Sequence, residues 1–126
     1  MAYSFTATTT SLSNGRYIIT ITEAECAATS EAVITNVPTC GRLLKQVTHL
    51  ASGTGATVDP IIGFVTNPSG LSILAENDAA AATVNNISSP ANPFNCSTGV
   101  LYHRSRPNAG TDNVVMTRYL MQSGWE

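Results

Sequence analysis

Apolar and polar residues alternate along most of this chain with a period of two, the spacing of a β-strand that has one wet and one dry face. Tyr3, Phe5 and Ala7 oppose Ser4, Thr6 and Thr8. After Ser13-Asn14-Gly15 the alternation resumes, with Tyr17, Ile19 and Ile21 opposing Thr20 and Thr22. Asn-Gly between two such runs signals a hairpin, because both residues accept the left-handed backbone of a tight turn. Further strands are expected at about 31–37, 42–51, 56–66, 71–76, 99–105 and 113–122. The separators are rich in turn formers: Pro38-Thr39-Cys40-Gly41, Ser52-Gly53-Thr54-Gly55, Asn67-Pro68-Ser69-Gly70 and Pro107-Asn108-Ala109-Gly110.

Two short stretches depart from this pattern. Thr22-Glu23-Ala24-Glu25 has the form of a helix capping box and precedes Cys26-Ala27-Ala28, and Asp78 stands before Ala79-Ala80-Ala81-Ala82. Each predicts one helical turn at most, since helices this short are marginal on their own. Residues 85–98 hold prolines, asparagines and hydroxyl residues without periodicity, and read as a long ordered loop serving as a contact arm. Many short strands with no helical crossovers predict an all-β, single-domain antiparallel β-sandwich over residues 1–126, with a closed β-barrel as the alternative. The strand at 113–122 is apolar on both faces, with Val114, Met116 and Leu120 on one and Val115, Tyr119 and Met121 on the other. Such a strand needs two covers, and a neighbouring subunit is a natural second one.

Composition then narrows the partners. Only 11 % of the residues are charged and Lys45 is the sole lysine, so the polar faces are built from Ser, Thr and Asn. A surface of that kind suits burial against protein, because charge is costly to desolvate. A net charge of −2 argues against a nucleic-acid partner, which calls for a basic face. No run of about 18 apolar residues is present to cross a bilayer, so no membrane role is expected. Met1-Ala2-Tyr3-Ser4-Phe5 lacks the basic-then-apolar order of a secretory signal, so synthesis in a cytoplasm is expected. Cys26, Cys40 and Cys96 are therefore expected to be reduced, and the sequons at Asn86 and Asn95 to be coincidental.

Candidate chemistry is sparse. His49 and His103 are the only histidines, no serine sits in a Gly-x-Ser-x-Gly elbow, and a Cys40 or Cys96 pairing with either histidine rests on composition alone. Gly53-Thr54-Gly55 lacks the glycine spacing, following helix and lysine of a phosphate loop. Glu76-Asn77-Asp78 clusters hard oxygen ligands, yet reads more simply as an acidic turn. No catalytic residue, metal site or cofactor is expected, and the chain is read as non-enzymatic. The strongest constellation is Tyr102-His103-Arg104-Ser105-Arg106, where Tyr102, Arg104 and Arg106 share one strand face and Arg118 is positioned to join them. Tyr and Arg are the residue types enriched among interface anchors. Tyr3, Phe5 and Trp125 add aromatic anchors near the two ends, which completes the expected interface set.

Several phrases together resemble small structural proteins of tailed bacteriophages: Gly15-Arg16-Tyr17 through Glu23-Ala24, Ile34-Thr35-Asn36-Val37-Pro38, Gly41-Arg42, Ser52-Gly53-Thr54-Gly55, Pro60-Ile61-Ile62-Gly63, Leu101 through Pro107 and Gly124-Trp125-Glu126. The resemblance implies a virion component with a β-sandwich fold, a capsid decoration or cement protein. Its partners would be the major capsid protein and copies of itself, as a trimer or other multimer. Its place would be the virion surface after synthesis in the host bacterial cytoplasm. The alternative it leaves open is a tail or baseplate module that binds host carbohydrate, for which Trp125 and the tyrosines would have to line a shallow groove. No fibre repeat, receptor-binding tip or peptidase core accompanies these phrases.

Overall fold

In a computed structural model of the chain the described residues are 2–27, 29–37, 40–55, 57–58, 60–63, 79–80, 85–87, 94–95 and 99–123; of these, 40, 79–80, 85–87 and 94–95 are described as backbone only. Among them every regular element is a strand. In chain order these are β1 (Ser4–Ser11), β2 (Arg16–Cys26), β3 (Ala32–Ile34), β4 (Cys40–Ser52), β5 (Thr57–Val58), β6 (Ile61–Gly63), β7 (Ala79–Ala80), β8 (Asn85–Ile87), β9 (Phe94–Asn95), β10 (Leu101–Arg104) and β11 (Asn113–Ser123).

The expected hairpin forms where Asn14 and Gly15 stand. Both take left-handed backbone, with φ of 62° and 73°. The Leu12 N–H donates to the Arg16 carbonyl at 2.7 Å, and β1 then pairs with β2 from Ser11 opposite Tyr17 to Ser4 opposite Ala24. β11, far away in sequence, inserts between β2 and β4, so the six-stranded sheet runs β1-β2-β11-β4-β8 with β9 also pairing with β4. A second, three-stranded sheet runs β3-β10-β6, and β5 pairs with β7. All of these pairings are antiparallel.

The two sheets face each other across one apolar layer. Tyr17, Ile19, Ile21, Leu43, Tyr119 and Met121 of the large sheet meet Ala32, Ile34, Ile62 and Leu101 of the small one, together with Val37. A smaller group, Cys26, Leu50, Val58 and Val115 with Tyr3 against it, fills the other end. This is an all-β, sandwich-like architecture. Among the described residues the large sheet stays open, with β1 pairing on one side only, so the barrel alternative does not form.

Both helical expectations are corrected. Thr22 through Glu25 continue β2 as strand, and Ala79–Ala80 is strand paired with β5. The apparent capping box is instead a β-bulge. Two residues, Ala24 and Glu25, fit between the pairs Glu23–Val115 and Cys26–Asn113 where β11 supplies only Val114, and Glu25 is left-handed with φ of 53°. An extra residue of this kind re-aims the side chains beyond it, so Glu23 and Cys26 both point inward. The expected strand at 56–66 divides into β5 and β6 around Pro60, which has no N–H to give to a ladder. The expected strand at 71–76 lies outside the described residues. So does most of the 85–98 loop, apart from the short strands β8 and β9 within it.

Asn113 locks the end of the sandwich where β2, the β4–β5 turn and the loop before β11 converge. Its amide donates to the carbonyls of Cys26 and Ala109, each at 3.0 Å, and its oxygen accepts from the N–H groups of Thr54 at 3.1 Å and Gly55 at 3.0 Å. Gly53, with φ of 127°, lies so close that a Cβ there would collide with Asn113. Substituting Asn113→Ala leaves several backbone groups unpaired and is expected to lower stability by about 3 kcal/mol in urea unfolding. Asp112→Ala, one residue away and exposed, is expected to change it by less than about 0.5 kcal/mol.

Candidate functional site

Titratable groups gather between the two sheets. Glu23 of β2, His103 of β10, Ser105 just beyond β10, and Tyr119 of β11 are all fully buried. The period-two phase of each strand puts them there: Glu23 follows Tyr17, Ile19 and Ile21 on the inner face of β2, and His103 and Ser105 follow Leu101.

The carboxylate of Glu23 is the centre. His103 Nε2 donates to Oε1 at 2.9 Å, and the Ser105 hydroxyl donates to the same oxygen through a short hydrogen bond. The Tyr3 hydroxyl donates to Oε2 at 2.7 Å, with the Cys26 thiol on that oxygen at 3.6 Å. The other ring nitrogen of His103, Nδ1, is 2.6 Å from the Tyr119 hydroxyl. Burial alone would raise the Glu23 pKa, but attraction to His103 and hydrogen bonds from His103, Ser105 and Tyr3 outweigh it and hold the carboxyl below its ordinary range. The groups around it respond in the opposite sense. Burial, then the nearby carboxylate, push the Tyr3 phenol, the Cys26 thiol and the Tyr119 phenol upward, so each keeps its proton as a donor.

Ser, His and Glu in contact suggest a nucleophile and its base, but the arrangement differs from one. In a working triad the nucleophile and the orienting carboxylate occupy opposite nitrogens of the imidazole. Here Ser105 at 3.0 Å and Glu23 both sit at Nε2, and the serine proton is given to the carboxylate. With all three side chains at zero exposure, the cluster ties the two layers together. Sequence reasoning misses it because Glu23 sits in an apparent capping box and His103 in an expected interface strand. The signal that finds it is phase: a Glu, a His and a Ser each at an inward position.

The second feature is the outer face of the large sheet. Cross-strand pairing lays out three rungs: Ile18–Leu120–Lys45, Thr20–Arg118–Val47 and Thr22–Met116–His49. Ile18, Val47, Met116 and Leu120 are half-buried, whereas Lys45 and Arg118 are exposed. They line two shallow hollows, one between Val47, His49, Met116 and Arg118 and the other between Ile18, Lys45, Val47, Arg118 and Leu120. Arg16 and Arg42, paired to either side of Gln122, add two cations at one end. Among the described residues of this face the only carboxylate is Glu25, in the bulge at the opposite end of β2.

The expected interface residues are therefore distributed over different parts of the molecule. Arg118 lies on the outer face of the large sheet and does not join Tyr102 and Arg104, which point outward from the small sheet on the opposite side of the sandwich. The shared polar-apolar phase was real in each strand, but the strands belong to different layers. Arg104 pairs with Glu31 at 3.9 Å. Arg106 follows the end of β10 with left-handed backbone, φ of 50°, and like Tyr102 and Arg104 is half-buried. Tyr3 is half-buried on Glu23, Phe5 is 36 % exposed on β1, and Trp125 lies outside the described residues. Cys26 is a buried free thiol, and the side chains of Cys40 and Cys96 lie outside the described residues.

The buried joint makes stability depend on acid. Because the Glu23 pKa is depressed on folding, its contribution is complete above the unfolded carboxylate value of about 4.3 and fades as pH falls through the lower folded value. Melting temperature measured from pH 7 down to 2 should therefore drop below about pH 4. Glu23→Gln removes the charge and leaves surplus donors, and should cost about 3–5 kcal/mol at pH 7 while flattening that acid limb. No protein-family model matches the chain, and no curated protein sequence matches it.

Proposed function

We propose that this protein is a non-enzymatic virion structural protein, a capsid decoration protein that binds the outside of the major capsid lattice through the outer face of its large sheet. The observation that carries the reading is that face: a half-buried apolar patch of Ile18, Val47, Met116 and Leu120, framed by Arg16, Arg42, Lys45 and Arg118 and uncovered by any other described residues, on a chain with a net charge of −2. Exposed apolar surface ringed by polar groups marks association surfaces. The cations assign the partner an acidic, partly apolar protein surface. The virion part of the reading rests on the resemblance of the sequence to small structural proteins of tailed phages and on its low charge content. A partner docked on this face would also give the two-sided strand β11 its second cover. The aromatic groove of a carbohydrate-binding tail module has less support, since Tyr3, Tyr17 and Tyr119 are engaged in or against the core.

The test is retention on purified heads that lack the protein and are then re-supplied with it. Charge reversal by Arg118→Glu together with Val47→Asp should weaken occupancy by at least about 30-fold, the size expected when a central anchor is lost. Tyr102→Ala, on the other side of the sandwich, should leave it unchanged. Circular dichroism verifies that both variants fold. Undiminished occupancy of the Arg118→Glu, Val47→Asp protein would overturn this assignment.

A further inference from the structure

β1 is exposed along its whole length, on both faces, although its residues sit opposite some of the most buried positions in the protein. Phe5 faces Glu23, Ala7 faces Ile21 and Thr9 faces Ile19, yet the small sheet does not reach across to cover them. Among the described residues β1 has a strand neighbour on one side only. Among the described residues its other side is a free edge.

The groups on that edge are set by the turn. Leu12 N–H points to β2, since it donates to the Arg16 carbonyl. In an antiparallel ladder successive residues direct their N–H and C=O groups to alternate sides. Thr10, Thr8, Thr6 and Ser4 therefore bond toward β2, while Ser11, Thr9, Ala7 and Phe5 present theirs outward. The occupant that satisfies such a row is another extended strand. Sheet edges are commonly blocked by lysine, proline, inward charges or bulges. β1 reads Ser-Phe-Thr-Ala-Thr-Thr-Thr-Ser, with none of them.

We infer that the occupant is β1 of a second copy, paired antiparallel about a two-fold axis through Thr8 to make one continuous sheet across two subunits. A two-fold axis normal to the sheet keeps both inner faces on the same side, so only residues of matching phase can pair. With Thr8 on the axis, Phe5 meets Ser11 of the second copy and Ala7 meets Thr9. All four outward residues are then used, with about eight backbone hydrogen bonds. On the outer face Thr6 meets Thr10 and Thr8 meets itself, and threonine pairs are favourable across strands. No charge on β1 opposes its own copy. The pairing also brings Phe5 of one copy to the same end as Leu12 of the other, and at 36 % and 44 % exposure these are, among the described residues, two of three large apolar side chains left in solvent, with Val33 the third. This self-association is independent of the capsid reading, because it uses the edge of the large sheet and not its outer face.

Parity supplies the test. Ala7→Pro removes an outward N–H that the β1–β2 ladder does not use, so the fold should persist and the pairing should fail. Thr8→Pro removes an inward one and should damage the hairpin itself. Sedimentation of the full chain over a concentration series should show a monomer–dimer equilibrium that Ala7→Pro and Thr9→Lys both shift to monomer, with the circular dichroism and melting of the monomer unchanged. Hydrogen exchange followed by NMR should show Ala7 and Thr9 amides protected in the dimer and fast on dilution, while Thr6, Thr8 and Thr10 stay slow throughout. A chain that remains monomeric into the millimolar range overturns the inference. So does an oligomer that Ala7→Pro leaves intact, or one in which the Ala7 and Thr9 amides exchange as fast as in the monomer.

Discussion

The carboxylate of Glu23 is the fixed point of this sandwich. An ionised carboxylate inside a protein costs several kcal/mol unless its hydrogen-bonding capacity is met. Here the donors come from separate parts of the chain: His103 on the facing sheet, Ser105 beyond it, Tyr3 before the first strand and Cys26 past the bulge. The apolar layer sets how strongly the sheets attract and already disfavours a one-residue slip, and the carboxylate adds to that constraint. A one-residue slip of β2 against its neighbours would send Glu23 to the outer face and leave His103 and Ser105 without their acceptor. The joint therefore selects one register for β2 and one seat for β10, which is the service a buried polar network can perform even where it adds little net stability.

The bulge at Ala24 and Glu25 and the locking of Asn113 extend the same constraint. The bulge lets Cys26 point inward only three residues after Glu23, so the end of β2 stays attached to the core. Asn113 then binds the Cys26 carbonyl from β11 and holds the β4–β5 turn with its other bonds. The Thr48–Thr117 hydroxyl pair at 2.6 Å is a further polar tie, this time within the large sheet. Polar side chains thus carry much of the positional information in this core.

Local pattern made the strands legible and left their partnerships hidden. Alternation located β1, β2, β4, β10 and β11, and Asn14-Gly15 located the hairpin, because both signals are properties of neighbouring residues. The insertion of β11 between β2 and β4 depends on contacts about a hundred residues apart for the first pair, for which spacing carries no code. That is why Arg118 and Tyr102, similar in phase and separated by one turn region, were expected on one face and stand on two. The capping box misled for a related reason. Thr-x-x-Glu satisfies a helix start only if a helix comes next, whereas here tertiary pairing extends the strand and turns Glu25 left-handed at the bulge. Glu23 itself was readable from phase alone, since an alternation through Tyr17, Ile19 and Ile21 reaches it at the next inward step.

The low charge content of the chain has a physical place in this arrangement. Four of its six basic residues lie on the outer face of the large sheet, around apolar side chains, and the edge strand beside them has no charge at all. A charged β1 would oppose an approaching copy, and a carboxylate amid the rungs at Leu120, Arg118 and Met116 would cancel the attraction proposed for an acidic partner. The two proposed contacts would also differ in what they recognise: the face by shape and sign of charge, the edge by an extended backbone, with the side chains of the partner giving discrimination. On the proposed reading the two work in series: pairing through β1 places two outer faces side by side in one sheet, so a two-fold-related pair of acidic sites on a lattice would engage both at once. The second contact is then made at the high effective concentration set by a rigid connection. On that reading individually weak faces would suffice for attachment.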